Sequence, residues 1–299
     1  MRFSIITPVL NRRDLLREAI GSLDSQEQSD VQHIVVDGGS VDGTLEMLRE
    51  RPNIVVLQDR RRGLYDAINM GIEHATGDII GLLNSDDMYA AGALRAVERA
   101  FALTPQADAA CGAAELFNAD GVLARYHAPA DLALDSHAAI VGACVINARF
   151  FRRHVFQRCG LFSLAFPLVA DREFLVRTLI GGIVTTSVDA VVYRYRSHEG
   201  SLTFGVREGQ AHVLRAELLR LSQAIMKNAA AGPELRRKAR ALEGRCLGRA
   251  VVTSLSGGDL VGAIRTLIMR DGRSSLVPLF ALGCGTLDRL RTGRMGVGR

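Results

Sequence analysis

The sequence contains no tryptophan, only two lysines and no C-x-x-C pair. Its five cysteines are Cys111, Cys144, Cys159, Cys246 and Cys284. They are odd in number and widely spaced, which argues against both a zinc site and a disulfide framework. The cysteine pattern therefore suits a protein that works in a reducing cytosol.

Long apolar runs are also missing. No stretch reaches the ~18 apolar residues that a membrane-spanning helix needs, and the first residues, MRFSIITPVL, resemble a strand rather than a signal peptide. We therefore expect a cytoplasmic protein. With 299 residues, 48% of them hydrophobic, the chain is expected to bury a substantial core in one large domain, or in one domain plus an appendage.

Positive charge is concentrated in the last third of the chain. Residues 206–299 hold 17 basic and 7 acidic residues, whereas the remainder holds 20 basic and 25 acidic. The basic pI of 9.2 raises the question of nucleic-acid binding. Aromatic residues are sparse and no nucleic-acid-binding motif is present, so we expect no nucleic-acid partner.

The first hundred residues alternate between strand-like and helix-like patterns. Short apolar runs predict strands, and apolar residues at a 3.6-residue period predict helices between them. This alternation predicts a mostly parallel, Rossmann-like sheet flanked by helices, an α/β fold. The predicted strands are 3–10, 31–36, 53–57 and 79–83, and the predicted helices are 13–23, a short one ending at 48, 65–75 and 91–103.

After residue 105 the pattern changes. Segments 109–117 and 122–127 predict an antiparallel hairpin, followed by helices at 148–158 and 171–180 and a strand at 184–195. From residue 206 the sequence predicts helices almost throughout, including one at 259–269. We therefore predict an α/β domain at 1–205 and a basic helical extension at 206–299.

Two adjacent carboxylates follow the predicted strand 79–83. Asn84-Ser85-Asp86-Asp87 lies where a buried strand would deliver acidic side chains to the carboxyl edge of the sheet, the edge at which open α/β sheets bind ligands. Mg²⁺ and Mn²⁺ prefer such oxygen ligands together with substrate phosphates. The alternative is a turn with a helix cap, and this segment alone leaves both interpretations open.

Polar residues also end the first two predicted strands. Asp37, in VVDGGSVDGT, is placed to accept from a base N–H or a ribose hydroxyl, or else to stabilise an Asp-Gly-Gly turn. We expect Pro8 to stop the strand ladder, leaving Thr7 and Asn11 to line a pocket beside Asp37.

Three segments together resemble a known family. ITPVLNR, VVDGGSVDGT and GLYDAINMGIEHATGDIIGLLNSDD, in this order and spacing, are similar to the N-terminal half of family 2 glycosyltransferases with the GT-A fold. The resemblance is strongest to bacterial enzymes that build exopolysaccharide, colanic-acid-type or lipopolysaccharide sugars. It implies a nucleotide-diphosphate sugar lying across the sheet edge.

The resemblance implies roles for the residues at this edge. Asp37 would contact the base, and Thr7, Pro8 and Asn11 would line the nucleoside pocket. The metal that holds the diphosphate would be bound by Asp87.

The Asp-x-Asp motif of the family is altered here. Asn84 stands where its first acid is usual. On the resemblance, Asp86 lies near the ribose or behind the metal ligands.

Asp66, in GLYDAIN, matches a recurrent acid of this subgroup and would contact the nucleotide. The alternative is a carboxylate that is favoured by the helix dipole. The preceding residues Arg60, Arg61 and Arg62 supply one contact to the diphosphate, or else form a solvated loop.

Two further residues are matched downstream. Asp171, in LVADREFLVR, resembles the acid that is the general base in inverting members of the family; the alternative is a helix cap. His198, in YRYRSHEGSLT, lies where many GT-A enzymes have a histidine that binds the metal or the diphosphate; the alternative is a surface-loop histidine.

The resemblance implies an inverting hexosyltransferase. It would use a nucleotide-sugar donor, expected to be a UDP-sugar, and a glycan or lipid-linked acceptor, with Mn²⁺ or Mg²⁺ as cofactor. The alternatives are an inactive nucleotide-sugar-binding homologue and a sugar nucleotidyltransferase. The latter is disfavoured because the first strand is not followed by a glycine-rich loop. The basic C-terminal helices predict peripheral contact with an anionic membrane, or a solvated basic face.

Overall fold

The computed structural model describes residues 1–27, 30–128, 134–140, 142, 144–198 and 211–256. The chain divides into two compact units, Met1–Glu208 and Gly209–Arg299. The boundary predicted from the sequence, between 205 and 206, lies outside the described residues, as does the helix predicted at 259–269.

The first unit begins with the predicted alternation of strands and helices. The elements are β1 (Phe3–Val9), α1 (Arg13–Asp24), β2 (Val31–Asp37), α2 (Thr44–Arg49), β3 (Ile54–Gln58), α3 (Leu64–Glu73) and β4 (Ile79–Leu82). Parallel pairs join β1 to β2, β1 to β4 and β2 to β3. The predicted parallel half of the sheet is therefore confirmed, because apolar runs of strand length between amphipathic helices specify it locally.

The rest of the unit is less regular. It comprises β5 (Met88–Tyr89), α4 (Ala93–Leu103), β6 (Ala109–Asn118), β7 (Gly121–Tyr126), α5 (Ser136–Ile140), a 3-10 turn (Ile146–Ala148), β8 (Arg149–Arg152), α6 (His154–Cys159), α7 (Ala170–Ile180) and β9 (Thr185–Arg196). The prediction of one helix at 148–158 is wrong. Phe150 and Phe151 belong to β8, which lies between β4 and β6 as an antiparallel strand, and only the second half of the segment is helical.

The nine strands of the described residues form one mixed sheet in the order β3-β2-β1-β4-β8-β6-β9-β5, with β7 beside β6. Four of the described strand pairs are parallel and four antiparallel. The carboxyl ends of β1, β2 and β4 meet at one edge. This edge receives the polar segments that follow each of these strands.

Pro8 does not end the ladder as expected. The β1–β2 pairing continues through Pro8 and Val9, which lie opposite Val36 and Asp37. Leu83 donates to the carbonyl of Ile6 on the β4 side of β1, and the alternation of the strand points the nitrogen of Pro8 to that same side. Because the β1–β4 register ends at Ile6 and Leu82, the missing N–H of Pro8 removes no hydrogen bond of that ladder.

An aromatic cluster holds α7 against the sheet. The rings of Phe162 and Phe174 lie 4.7 Å apart, those of Phe156 and Phe174 5.2 Å apart, and those of Phe151 and Phe174 5.4 Å apart. All four side chains are almost fully buried. This packing fixes the helix whose first turn carries Asp171.

We expect Asn69→Ala to destabilise this cluster. The buried Asn69 side chain donates to the Phe162 carbonyl at 2.8 Å and accepts from its N–H at 2.9 Å. Alanine would leave both backbone groups buried and unsatisfied, at a cost of about 2–4 kcal/mol of unfolding free energy. Urea denaturation measures the loss, with the exposed Asn53→Ala as control; equal stability of the two variants would contradict the prediction.

The described part of the second unit is a pair of helices, α8 (Ala211–Lys227) and α9 (Pro233–Ser256). The pair buries apolar side chains that recur at helical spacing, such as Leu221 and Ile225 on α8 and Leu235 and Leu242 on α9. Among the described helices, none combines the length and apolar composition that crossing a bilayer requires.

Candidate functional site

Asp37 ends β2 with one satisfied and one unsatisfied carboxylate oxygen. Its Oδ2 accepts from the N–H groups of Gly39 at 2.8 Å and Ser40 at 2.9 Å, closing the turn in which Gly39 has φ +89°. Its Oδ1 is buried and has no hydrogen-bond partner among the described residues. A buried carboxylate oxygen without a donor is costly, so this atom is suited to receive an N–H or O–H group of a ligand.

The three residues predicted at the end of β1 differ in accessibility. Thr7 is fully buried, and its hydroxyl lies 2.9 Å from Nε2 of His33. Burial lowers the pKa of His33 to about 4. Pro8 is buried as well, whereas Asn11 is exposed. The structure therefore brings only Asn11 of the three to the solvent-exposed edge.

Asn11 joins the loops that follow β1 and β2. It has a left-handed backbone with φ 51°, a conformation that asparagine tolerates better than most residues. Its side-chain oxygen accepts from Val41 N at 2.8 Å, and its own N–H donates to Ser40 Oγ at 2.9 Å. The two loops are thereby held beside Asp37.

Asp66 repeats the pattern of Asp37. It lies in the first turn of α3 and is 5% exposed, and its Oδ2 is buried without a hydrogen-bond partner among the described residues. Its Oδ1 is 3.9 Å from an Nη of Arg62. This second unsatisfied acceptor follows β3, which pairs with β2.

The three consecutive arginines differ in their contacts. Arg60 pairs with Glu73 at 3.5 Å and Arg62 with Asp66. Arg61 lies over the turn after β2: a Cβ built on Gly39 would be 2.7 Å from its Nη2. Arg61 thus lies close to the backbone turn that binds Asp37.

Asp87 is turned into the protein. It is 1% exposed, its Oδ1 accepts from Arg196 N at 2.8 Å, and its Oδ2 accepts from Tyr193 Oη at 2.7 Å and from Asn84 Nδ2 at 2.9 Å. Burial, and then the neighbouring charge of Asp86, raise the pKa of Asp87 to about 7. Three donors therefore already occupy the carboxylate to which the sequence assigns the metal.

Asp86 is the outward-facing member of the pair. Its Oδ2 contacts Nη1 of Arg12 and lies 2.9 Å from Nε2 of His198, and the Arg196 side chain donates to its carbonyl at 2.9 Å. The Asp86 side chain is 15% exposed. The structure thus brings two of the predicted residues, Asp86 and His198, into direct contact.

Asp86 and His198 are the two residues here that could bind a divalent cation. Among the described residues, no group of three or more His, Cys, Asp and Glu side chains could hold a metal ion. Asp86 and His198 supply one carboxylate and one imidazole. Mg²⁺ and Mn²⁺ sites of this kind take their other ligands from substrate phosphates and water, so the pair fits a cation that arrives with a diphosphate.

Asp171 lies in the first turn of α7, beside Tyr65 and Cys144. Burial raises the pKa of the Asp171 carboxyl. Hydrogen bonds from Arg172 N, at 2.7 Å, and from the Cys144 thiol act in the other direction and lower this pKa. Tyr65 lies in the first turn of α3, the helix that carries Asp66, so both acids are linked to the start of α3.

Sequence reasoning missed several contacts of the site. Arg12, Tyr193 and Arg196 contact the acidic pair, and Cys144 contacts Asp171. Arg12 directly follows Asn11, and this adjacency could have identified Arg12 as a residue of the site. The others become neighbours only through pairings more than a hundred residues apart or through the packing of α7.

The sequence is similar to a known protein family. Residues 4–160 match the profile described as "Glycosyl transferase family 2". A "PGL/p-HBAD biosynthesis glycosyltransferase" of Mycobacterium tuberculosis is 29% identical over 206 residues, which span 66% of this chain and 78% of that protein. An "uncharacterized glycosyltransferase" of the same species is 30% identical over 183 residues, 59% of this chain and 68% of that protein.

Solved structures with a similar fold have nucleotide sugars bound. S. aureus TarS 1-349 in complex with UDP-GlcNAc has a TM-score of 0.61 and 16% identity, covering 89% of this chain and 80% of that one. A mannosyltransferase of Pyrobaculum calidifontis in complex with GDP-Man and Mn²⁺ has a TM-score of 0.56 and 20% identity, covering 97% and 80%. These likenesses, with the mixed α/β sheet, confirm the predicted GT-A fold.

Proposed function

The chain belongs to glycosyl transferase family 2, and from this premise we propose that it transfers a sugar from a nucleotide-diphosphate donor to an acceptor hydroxyl. The donor is proposed to be a UDP-sugar, and the acceptor a glycan or a lipid-linked glycan in cell-surface polysaccharide synthesis. The transfer inverts the anomeric configuration.

The unsatisfied oxygen of Asp37 carries the donor proposal. This buried acceptor lies at the carboxyl edge of the sheet and needs a hydrogen-bond donor, which the imide N–H of a uracil or the N–H groups of another base would supply. Asp66 Oδ2 offers a second acceptor after the neighbouring strand β3. Thr7 and Pro8 support the pocket from within the sheet, while Asn11 holds its loops together.

We propose that Asp86 and His198 hold the divalent cation, Mn²⁺ or Mg²⁺. When bound, this ion supplies positive charge to the departing diphosphate. Asp87 remains the metal ligand assigned on the sequence, but its three donors and its burial favour a supporting role behind Asp86.

Asp171 is proposed as the general base. The acceptor hydroxyl oxygen attacks the anomeric carbon while its proton passes to the Asp171 carboxylate. The bond between the anomeric carbon and the diphosphate oxygen breaks, and its electron pair leaves with the nucleoside diphosphate. One displacement of this kind inverts the anomeric centre and needs no protein nucleophile.

Calorimetric titration with UDP and with GDP, each with and without Mn²⁺, tests the donor proposal. We expect metal-dependent binding of one nucleotide. Asp37→Asn is the most specific variant for this test. The oxygen of the new asparagine can still accept from the Gly39 and Ser40 N–H groups, while its NH₂ group takes the place of the acceptor oxygen that is offered to the base. The exposed Asp189→Asn is the control. Failure of both nucleotides to bind the folded protein would overturn the proposal.

On the acid side of the pH–rate profile, we expect kcat/KM to fall at a pH above the usual pKa of an aspartate. The base acts as a carboxylate, so kcat/KM falls as the pH drops through its pKa, and burial raises the pKa of Asp171. Cys144→Ala removes a thiol donor that stabilises the charged form, so it should shift this fall to still higher pH. Cys159→Ala is the matched control; identical profiles for the two variants would contradict the role of the thiol.

The basic helix pair supports a peripheral membrane contact, where a lipid-linked acceptor would be found. Arg245 and Arg249 are exposed one helical turn apart on α9. We expect Arg245→Gln/Arg249→Gln to weaken binding to anionic vesicles about 30-fold, because each basic residue near such a surface contributes about 1 kcal/mol. The exposed pair Arg17→Gln/Arg49→Gln is the control in a flotation assay with anionic and neutral vesicles. Equal retention on both vesicle types would exclude the contact.

A further inference from the structure

The guanidinium of Arg12 lies against both proposed metal ligands. Asp86 Oδ2 and His198 Nε2 lie 2.9 Å apart. Arg12 Nη1 contacts the oxygen and lies 3.2 Å from the ring nitrogen. One cationic group thus touches both atoms that the proposed function assigns to a metal ion.

The spacing of the two ligand atoms matches that of a metal chelate. Adjacent ligands of an octahedral ion with bonds of 2.0–2.1 Å are about 3 Å apart. If Nε2 of His198 carries a proton, this separation is that of a hydrogen bond to the Asp86 carboxylate; if it does not, its lone pair and the carboxylate repel each other unless a cation contacts both. Arg12 supplies a cation that contacts both atoms.

The charges make Arg12 and a divalent cation competitors. Arg12 neutralises the single negative charge of Asp86. A divalent cation that bound there as well would be repelled by the positive charge of Arg12. A nucleoside diphosphate brings enough negative charge for both cations. Arginine also binds phosphate oxygens bidentately, and the Arg12 side chain is 25% exposed, in the loop between β1 and α1.

We propose that Arg12 is an exchangeable cation: it contacts the two atoms that would bind the metal ion, and it moves to the diphosphate when the metal–nucleotide complex binds. This inference rests on the proposed function and deepens it. Arg12 excludes the bare metal ion and then becomes a donor-binding residue. Metal and nucleotide therefore bind together rather than metal first.

The proposal predicts opposite effects of one substitution on two ligands. Arg12→Gln should bind Mn²⁺ without nucleotide at least about tenfold more tightly than the wild type, because the competing charge is gone. With saturating Mn²⁺, the same variant should bind the nucleoside diphosphate at least about tenfold more weakly. Loss of the free Mn²⁺ signal in electron paramagnetic resonance measures the first quantity, and calorimetry the second.

Two variants accompany the measurement. Arg12→Lys keeps the positive charge but loses the paired N–H donors of the guanidinium, so it should still exclude bare Mn²⁺. Arg13→Gln removes a positive charge from the next residue, which is exposed and pairs with Asp14, and should change neither affinity. Thermal melting confirms that each variant is folded.

The outcomes separate this inference from the function on which it rests. If the wild type binds nucleotide with Mn²⁺ but Arg12→Gln shows unchanged Mn²⁺ affinity, the exchange is refuted and the donor site stands. Unchanged nucleotide affinity in Arg12→Gln refutes the second half of the exchange. If the wild type binds no nucleotide, the proposed function and the exchange both fail.

Discussion

Asp171→Asn should abolish sugar transfer while leaving nucleotide binding unchanged. Asparagine fits the same position and can still accept from Arg172 N, but it cannot take the proton of the acceptor hydroxyl. Loss of a general base costs about 10²–10⁴-fold in rate. Turnover of the nucleotide-sugar donor and calorimetric titration with the nucleotide measure the two properties on the same preparation.

The matched control is Asp189→Asn, which alters an exposed aspartate on β9. It should retain full turnover and full nucleotide binding. A fully active Asp171→Asn enzyme would remove Asp171 from the mechanism. Loss of nucleotide binding together with turnover would instead indicate that Asp171 supports the donor pocket, through Tyr65 at the start of α3.

The parallel half of the fold was readable from the sequence because its signals are local. Each strand is a short apolar run, each helix has a 3.6-residue apolar period, and the polar residues that end the strands meet at one edge of a parallel sheet. Asp37 and Asp86 were therefore assigned to one edge without knowledge of any long-range contact, and the structure brings each to the end of its strand there.

The rest of the sheet was not readable, because distant partners decide it. The aromatic run around Phe150 and Phe151 is short, and periodicity does not distinguish a buried strand of this length from a helix. Its pairing with β4 and β6 makes it a strand. Similarly, Pro8 interrupts the ladder only on the side where β4 has already ended.

The orientation of the two adjacent acids was also beyond local reasoning. Both Asp86 and Asp87 follow the same strand, and the sequence gives no sign of which carboxylate faces the ligand. Tyr193 and Arg196, at the end of β9, decide this by binding Asp87. Three residues more than a hundred positions away thus select Asp86 for the exposed position: Tyr193 and Arg196 by holding its neighbour, and His198 by contacting it directly.

Asp86→Asn and Asp87→Asn should therefore fail in different ways. Asp86→Asn weakens the ligand set of the proposed cation and should reduce Mn²⁺-dependent nucleotide affinity about 100-fold with little change in stability. Asp87→Asn directs an amide N–H at the Tyr193 hydroxyl or at the Arg196 N–H, and should lower the unfolding free energy by about 2–4 kcal/mol.

Urea denaturation at pH 8, above the pKa of about 7 that burial gives Asp87, and nucleotide titration with Mn²⁺ distinguish the two variants. At this pH the wild-type Asp87 is a carboxylate that accepts three hydrogen bonds, so the amide replaces an acceptor rather than a protonated acid. If Asp87→Asn keeps full stability and loses only metal-dependent binding, Asp87 is the metal ligand after all. The Asp86 carboxylate would then serve to pair with Arg12 and His198 rather than to bind the metal ion.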